Sequence, residues 1–256
     1  MSVMSEPVGP LLPDVVEGLE LRGVTVRFGG HTAVDAVNLE APVGRLTGLI
    51  GPNGAGKTTT FNAICGMESI AHGAVYFDGQ DITGLPTHRR ARAGIARTFQ
   101  RLEVFGSLTA AENVQVAAEM RRAWQKDKSD PHYEVETLLE RVGAADLADE
   151  RCDGLPTGQA RLVELARALA CHPKLLLLDE PASGLTEAET HSFGRLLTEL
   201  VGEGTGVLLV EHDVALVMEV CEYLYVLDFG AVLAEGATRE IQANEAVKRA
   251  YLGTMA

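Results

Sequence analysis

The sequence has no run of about 18 consecutive apolar residues, which is the length that a membrane-spanning helix requires. It also has no Lys or Arg before Arg22, so the basic segment that opens a secretory signal peptide is missing. We therefore expect neither a membrane span nor a secretory signal in this chain.

Cysteine is scarce and widely spaced. No two cysteines form a CxxC pair, and this spacing favours neither a zinc site nor a disulfide framework. The seven histidines do not have metal-ligand spacing either. We expect reduced thiols in a cytoplasmic protein. The four cysteines are Cys65, Cys152, Cys171 and Cys221.

Positive charge is in the minority, because 22 Lys and Arg stand against 36 Asp and Glu and give a net charge of −14. Nucleic acid and anionic lipid are bound by clustered positive charge, so we expect no nucleic-acid partner. Counted in blocks of fifty, residues 51–100 form the one net-positive block. Composition therefore points to this block first for an anion site.

Apolar residues make up 46 % of the 256 residues, enough for a large buried core. Two stretches alternate apolar and polar residues as half-buried strands do, and a third resembles a short strand pair. They are residues 18–27, 35–41 and 73–82. Three short, continuous apolar runs are typical of buried parallel strands. They are residues 175–178, 207–210 and 224–227.

The middle of the chain has helical spacing instead, with candidate helices at 110–124 and 133–142. The sequence thus predicts an α/β core that is interrupted by a helical insertion. We expect four segments: a flexible leader, two parts of one nucleotide-binding core, and the helical subdomain between them. Their bounds are 1–17 for the leader, 18–97 and 166–256 for the core, and 98–165 for the helical subdomain.

Residues 51–58 read GPNGAGKT and match the phosphate-loop pattern G-x-x-x-x-G-K-[ST] in full, between a strand pattern and a helical pattern. Its glycines allow backbone N–H groups to converge on phosphate oxygens at a helix N-terminus. Lys57 would place a cation on the β and γ phosphates, and the Thr58 hydroxyl suits Mg²⁺. The predicted nucleotide-binding residues here are Gly51, Pro52, Asn53, Gly54, Ala55, Gly56, Lys57, Thr58 and Thr59.

Two adjacent carboxylates, Asp179 and Glu180, end the apolar run LLLLDE. Asp179 suits the Mg²⁺ shell, and Glu180 suits a general base that polarises an attacking water. His212 follows the next apolar run, VLLV, at the sheet edge where α/β proteins bind ligands. We assign it a γ-phosphate or water-positioning role. The alternatives are a solvated acidic strand end and a structural histidine.

These motifs resemble the ATP-binding subunits of ABC transporters over about residues 18–256. The resemblance implies a P-loop NTPase core, with a RecA-like sheet and an antiparallel β subdomain, and an inserted helical subdomain. It also implies ATP and Mg²⁺ as ligands. Phe28, in VRFGG, would stack on adenine, with a core aromatic as the alternative, and Gln100, in RTFQ, would sense Mg²⁺ and contact membrane subunits.

The segment LPTGQ at 155–159 matches the family signature, which opens a helix and caps the ATP of the opposite subunit. This adds Leu155, Pro156, Thr157, Gly158 and Gln159 to the nucleotide-binding residues. The implied catalytic residues are Glu180, His212, Lys57 and Gln100. The implied metal-binding residues are Thr58, Gln100 and Asp179.

The chain departs from the family pattern at two places. The signature usually reads LSGGQ, but Pro156 has neither an N–H nor a hydroxyl, so one usual donor to the partner's γ-phosphate is lost. Thr157 is the candidate replacement. Thr186 stands where many relatives have Asp, which puts the usual contact across the dimer in doubt.

The tags RTFQ, PASGLT, EHD and RAYLG resemble the ATPases of branched-chain amino acid importers. The resemblance implies transmembrane permease subunits, a solute-binding protein, and a second ATPase that is a copy or a homologue. It implies a location on the cytoplasmic face of the cell membrane. The alternatives are the ATPases of urea or other amide and amino-acid importers and of lipopolysaccharide exporters.

Two other classes of protein share parts of this pattern. Soluble ABC-type ATPases of DNA repair or translation carry long coiled coils or a second cassette, but this chain has one cassette and no sustained heptads. GTPases usually have an N-K-x-D motif, which is absent. Gln100, LPTGQ and His212 argue further against a GTPase or a P-loop kinase.

Overall fold

The computed structural model describes residues 16–125 and 131–250. The predicted leader therefore lies outside the described residues up to residue 15, and so does the end of the predicted core, 251–256. Within the described ranges, no helix is long and apolar enough to cross a membrane.

A six-stranded sheet forms the centre of the fold, in the strand order β10-β9-β3-β8-β7-β6. The strands from β9 to β6 run parallel, and β10 pairs antiparallel at one edge. The three continuous apolar runs lie in β7, β8 and β9, which confirms them as buried parallel strands. The strands are β3 (Leu46–Ile50), β6 (Ile95–Arg97), β7 (Leu175–Asp179), β8 (Gly206–Val210), β9 (Tyr223–Asp228) and β10 (Ala231–Ala237).

A second, antiparallel sheet has the order β2-β1-β4-β5. It contains the predicted alternating strands, but β2 begins four residues before the predicted start at 35, because Phe28 and His31 close a hairpin around two glycines. The strands are β1 (Gly18–Phe28), β2 (His31–Pro42), β4 (His72–Phe77) and β5 (Gln80–Asp81).

Helices cover both faces of the central sheet. Helix α1 lies between the two sheets, and α3 to α7 contribute to a second core on the other face. Residues Leu175 and Leu177 of β7 face the first core, whereas Leu176 and Leu178 face the second, as strand alternation requires. The helices are α1 (Lys57–Cys65), α2 (Thr87–Ala93), α3 (Ala110–Gln125), α4 (Pro131–Arg141), α5 (Thr157–Leu169), α6 (Glu187–Gly202), α7 (Val214–Val220), α8 (Thr238–Ala243) and α9 (Glu245–Ala250).

The predicted helices at 110–124 and 133–142 correspond to α3 and α4, which pack on α5. The fold class is confirmed: a P-loop α/β core with an antiparallel β subdomain and an inserted group of helices. The segment bounds at 97 and 165 stay a prediction. Because β3, β6, β7 and β8 are parallel, their carboxyl ends lie along one edge of the sheet, where the candidate site is built.

The end of α1 is held by the buried side chain of Arg90, which lies in α2. Arg90 is only 3 % exposed. Its guanidinium donates to the carbonyl oxygens of Ala63 and Ile64 at 2.8 and 2.7 Å, and to those of Leu85 and Thr83 at 2.9 and 2.7 Å. The last carbonyls of a helix have no partner within the helix, so Arg90 supplies one. It thereby fixes the helix that follows the phosphate loop.

We expect Arg90→Met to lower the free energy of unfolding by about 3 kcal/mol, because it leaves buried carbonyl oxygens without a donor. Denaturant titration of the purified protein measures the change. The matched control is Arg89→Met, since Arg89 is the exposed neighbour in the same helix. Equal stability of the two variants would contradict the assigned role of Arg90.

Candidate active site

The phosphate loop at 51–58 joins the buried strand β3 to helix α1. Gly51 has φ 150°, and a Cβ built there would lie 2.1 Å from the Leu227 carbonyl oxygen. Gly56 has φ 103°, and its Cβ would lie 2.6 Å from the Ala33 carbonyl oxygen. Only glycine fits these two positions, so the sequence pattern is a steric requirement of the loop.

Helix α1 begins at Lys57, after Gly56, which offers no side-chain cap. Its first N–H groups therefore have no partner within the helix and are available to an anion. The Lys57 ammonium donates to the carbonyl oxygens of Gly51 at 2.7 Å and Pro52 at 3.0 Å, which holds it over the loop. Burial lowers the pKa of Lys57, and the carboxylates of Glu180 and Asp179 oppose this shift.

A cavity of about 610 Å³ opens over the loop, a volume within the usual range of ligand pockets. Phe28, at the end of β1, is 47 % exposed and forms part of its wall. The cavity brings together most of the predicted residues and adds His31 and Ala33, which no sequence motif indicated. Its lining residues are Phe28, His31, Ala33, Asn53, Gly54, Ala55, Gly56, Lys57, Thr58, Thr59, Gln100, Glu180 and His212.

Three predicted side chains meet at one oxygen of the cavity wall. Glu180 Oε1 accepts a hydrogen bond from Gln100 Nε2 at 3.0 Å and lies 2.9 Å from His212 Nε2. Glu180 has φ 52°, a left-handed conformation that a non-glycine residue rarely adopts, and its N–H donates to the Val210 carbonyl oxygen at 2.8 Å. The neighbouring strand β8 therefore helps to hold the carboxylate in place.

Glu211, which the sequence reasoning missed, supports this group from below. Its carboxylate accepts from the N–H of Ala182 at 2.7 Å and from the N–H of His212 at 3.0 Å. Burial raises the pKa of Glu211, and these backbone hydrogen bonds oppose the shift. Glu211 thus ties the loop after β7 to the position of His212. The triplet EHD contained the signal, because a carboxylate that directly follows a buried strand needs donors.

Asp179 lies beneath the cavity and is fully buried. Its Oδ2 accepts from Arg97 at 3.0 Å, and its N–H donates to the Thr98 hydroxyl at 3.3 Å. Burial raises the pKa of Asp179, while the guanidinium of Arg97 and the ammonium of Lys57 oppose the shift. Its other oxygen, Oδ1, is buried and has no hydrogen-bond partner among the described residues.

The Asp179 Oδ1 atom fits a hard cation, which prefers such an oxygen ligand. Across 16–125 and 131–250, no group of three or more His, Cys, Asp and Glu side chains could enclose a metal. A Mg²⁺ ion at Asp179 would therefore take its other ligands from hydroxyl or amide oxygens, phosphate oxygens and water.

Arg97 is the second functional residue that sequence reasoning missed, although it opens the quoted tag RTFQ. Its side chain is 5 % exposed and forms the buried ion pair with Asp179. The sequence did contain a signal for this ion pair. A carboxylate that is buried at the end of an apolar strand needs a cation beside it, and β6 ends in Arg97. Predicting the pair required knowing that β6 and β7 are neighbours.

The signature segment, residues 155–159, does not line the cavity. Pro156 precedes the first residue of α5, Thr157, and both are exposed. Gly158 is buried, and a Cβ there would lie 2.4 Å from the Gly184 carbonyl oxygen. The segment therefore presents the start of a 13-residue helix to the outside, packed on the loop after β7.

Thr186, the second departure, caps helix α6. Its hydroxyl accepts from the N–H of Glu189 at 3.3 Å, and the Glu189 carboxylate accepts from the N–H of Thr186 at 2.7 Å. This reciprocal pair is a capping box. The residue thus has a role within its own chain.

Comparison with known proteins gives the family. The family described as "ABC transporter" matches residues 34–183, more than half of the chain. The family described as "Branched-chain amino acid ATP-binding cassette transporter" matches residues 231–256.

A high-affinity branched-chain amino acid transport ATP-binding protein of Pseudomonas aeruginosa is 39 % identical to this chain. The similarity extends over 92 % of this chain and 97 % of the relative. A lipopolysaccharide export system ATP-binding protein of Haemophilus influenzae is 37 % identical, over 88 % of this chain and 93 % of its own. A dimeric ATP-binding cassette, solved in a post-hydrolysis state bound to ADP and Pi, matches with a TM-score of 0.78 and 26 % identity, over 86 % of this chain and 99 % of its own.

The phosphate loop, the acidic strand end and this similarity over nearly the whole chain lead to one conclusion. The chain belongs to the ATP-binding proteins of ABC transporters, the nucleotide-binding ATPases that are coupled to transport.

Proposed function

We propose that the chain binds MgATP in the cavity over the phosphate loop and hydrolyses it to drive import of a small solute. The observation that carries this proposal is the convergence of Gln100 and His212 on Glu180 Oε1, at 3.0 and 2.9 Å. The Glu180 carboxylate and the phosphate loop line the same cavity, so this carboxylate could accept a proton from a water beside a bound phosphate.

The phosphate loop and Phe28 would hold the two ends of the nucleotide. The first N–H groups of α1 and the Lys57 ammonium bind the phosphates, and the Lys57 ammonium exchanges its present carbonyl partners for phosphate oxygens. Phe28 offers its half-exposed ring to the adenine.

Mg²⁺ would be held by Thr58, Asp179 and Gln100. When bound, it neutralises charge on the β and γ phosphates. The Thr58 side chain faces the cavity, and Asp179 contributes the free Oδ1 atom. Gln100 contributes its side-chain oxygen, because its Nε2 is already committed to Glu180.

Glu180 acts as general base, and its two partners orient it. His212 holds one carboxylate oxygen and lines the same cavity, in which it would contact the γ-phosphate. Since the backbone at Glu180 is held by β8, the carboxylate has little freedom to turn away. Preorganisation of this kind lowers the cost of aligning the water.

The site is completed by a second ATPase, either another copy or a homologue. The start of α5 is exposed and would face the γ-phosphate of the partner's ATP. Pro156 provides no donor, so the N–H groups of Thr157, Gly158 and Gln159 and the Thr157 hydroxyl take over this role. The dimeric form of the solved relative supports this arrangement.

The transported solute is a branched-chain amino acid in this proposal, because the first relative is named for that transport and the C-terminal match has the same description. The partners are then permease subunits and a solute-binding protein, with the chain on the cytoplasmic face of the membrane. Nucleic acid is not a partner, given the net charge of −14. A lipopolysaccharide exporter is the alternative that the 37 % identical relative favours.

The permease would dock in an apolar groove between α2, α3 and α5, which together with Gln100 forms the face towards the membrane. The groove has a volume of about 290 Å³. Met120 and Phe105 are 59 % and 46 % exposed in its wall, beside Trp124 and Phe99. Apolar side chains this exposed mark an interaction surface. The helical subdomain at 98–165 and the nucleotide-binding core share this surface in the proposal.

We expect Glu180→Gln to lower ATP turnover on the order of a thousandfold and to leave ATP binding intact, because it removes only the base. Lys57→Ala should instead weaken ATP binding about tenfold or more. Phosphate release and fluorescence titration measure the two effects. Glu187→Gln, in the exposed first turn of α6, is the matched control. Turnover that survives Glu180→Gln would remove the assigned base.

A mixing experiment tests completion of the site by the second subunit. Thr157→Glu keeps α5 intact, since an acidic residue suits a helix N-terminus, but it repels a phosphate. We expect this variant and Lys57→Ala each to be inactive alone and to recover turnover when mixed. In the mixed dimer, one wild-type loop faces one wild-type signature segment. Thr157→Ser is the active control, and a mixture without turnover would argue against a site shared between two copies of this chain.

Docking can be tested by a charge in the groove. We expect Met120→Glu to reduce co-purification of the membrane subunits severalfold, because docking would bury an unpaired carboxylate. The isolated variant should retain wild-type ATP binding. Tyr133→Glu is the matched control, since Tyr133 is 76 % exposed on α4, outside the groove. Equal co-purification of both variants would exclude the groove as the docking site.

A further inference from the structure

The Arg97 guanidinium lies between two features that have been described separately, the metal-binding carboxylate and the apolar groove. One nitrogen donates to Asp179 Oδ2 at 3.0 Å, and another donates to Asn62 Oδ1 at 2.6 Å. Asn62 belongs to α1, the helix that the phosphate loop opens. Arg97 therefore ties the strand that carries the carboxylate to the helix that carries Lys57 and Thr58.

The two oxygens of Asp179 are made unequal by this contact. Oδ2 is engaged by Arg97, whereas Oδ1 is buried with no hydrogen-bond partner in the described part of the chain. A carboxylate rotates easily about its last bond, so an engaged oxygen on one side fixes the direction of the other. Ligands of metal ions are commonly oriented by such an outer contact.

Two aromatic rings lie against the Arg97 guanidinium. The ring centres of Phe99 and Phe61 lie 4.8 and 5.4 Å from its central carbon. These contacts favour the cation and restrict its side-chain rotamers. Arg97 and Phe99 also line the groove, so the carboxylate of Asp179 lies one side chain away from that surface.

The backbone of Phe99 is in turn held by α5. The N–H of Phe99 donates to Glu164 at 3.2 Å, and Arg161 donates to the Phe99 carbonyl oxygen and pairs with Glu164 at 2.9 Å. Arg161 and Glu164 are both buried and lie on the helix that the signature segment opens. One stacking partner of Arg97, Phe99, is thus held by α5, whereas the hydrogen-bond partners of Arg97 belong to α1 and β7.

We propose that Arg97 is a positioning residue for the metal site. By engaging Oδ2, it directs Asp179 Oδ1 towards the bound Mg²⁺. The inference rests on the proposed MgATP site. It assigns no contact between Arg97 and the nucleotide.

The test compares nucleotide affinity with and without the metal. A fluorescent, non-hydrolysable ATP analogue is titrated into the purified full chain, once in excess Mg²⁺ and once in EDTA. The quantity recorded is the Kd in EDTA divided by the Kd in Mg²⁺, which measures how much the metal strengthens binding. We expect Arg97→Gln to reduce this ratio about tenfold while the Kd in EDTA stays unchanged. Arg97→Lys keeps the charge but not the two-pronged contact, and should lie between Arg97→Gln and wild type.

Two further variants keep the test informative if Arg97→Gln does not fold. Asn62→Ala removes the other anchor of the guanidinium and should also lower the ratio, although less. Arg92→Gln is the matched control, because Arg92 stacks on Trp124 in the same groove wall and makes no contact with Asp179. A ratio within twofold of wild type in Arg97→Gln, or in both Arg97→Lys and Asn62→Ala, would overturn the proposal. Wild-type protein that does not bind the analogue would instead overturn the proposed MgATP site.

Discussion

The hydrogen bonds that the first N–H groups of α1 would donate to a bound anion are the interaction on which the proposed site depends. A chain with a net charge of −14 cannot attract a polyanion by its overall field, so the attraction has to be local. The loop supplies it with backbone dipoles and the single ammonium of Lys57. The steric demands at Gly51 and Gly56, and the buried Arg90 at the other end of the helix, all serve to hold this one helix in place.

Much of the core could be predicted because its signals are local in the sequence. The runs in β7 and β8 are apolar on both faces, and the loop 51–58 is fixed by backbone geometry, so both can be recognised without knowing any neighbour. The missed elements are instead defined by their pairing with an adjacent strand, which the residues of the strand alone do not show. Strand β10 is mostly exposed and is defined by its pairing with β9, and β2 begins early because β1 pairs with it at Phe28.

The same distinction applies to the candidate site. Lys57, Asp179 and His212 could be proposed because each follows a recognisable strand or loop, and their roles stay predictions. Arg97 and Glu211 could not, because a buried charge is informative only with its partner, and those partners lie 82 and 29 residues away. Thr186 gives the opposite case: comparison with relatives suggested a lost contact, whereas local chemistry gives it a capping role within its own helix.

The buried charges share one arrangement that bears on coupling. Asp179 is paired with Arg97, and Glu164 is paired with Arg161. Arg97 is the first residue of the short segment 97–100, and Arg161 donates to the carbonyl oxygens of Phe99 and Gln100 in the same segment. A buried ion pair adds little net stability, but removing one partner is costly, so such pairs resist independent movement. The segment that carries Gln100 is therefore held by the metal-site strand on one side and by α5 on the other. A shift of α5 relative to the sheet has to strain these contacts or move Gln100, and Gln100 is bonded to the proposed base. The groove, helix α5 and Glu180 are thus linked through residues 97–100, and this segment gives a route by which docking in the proposed groove would alter hydrolysis.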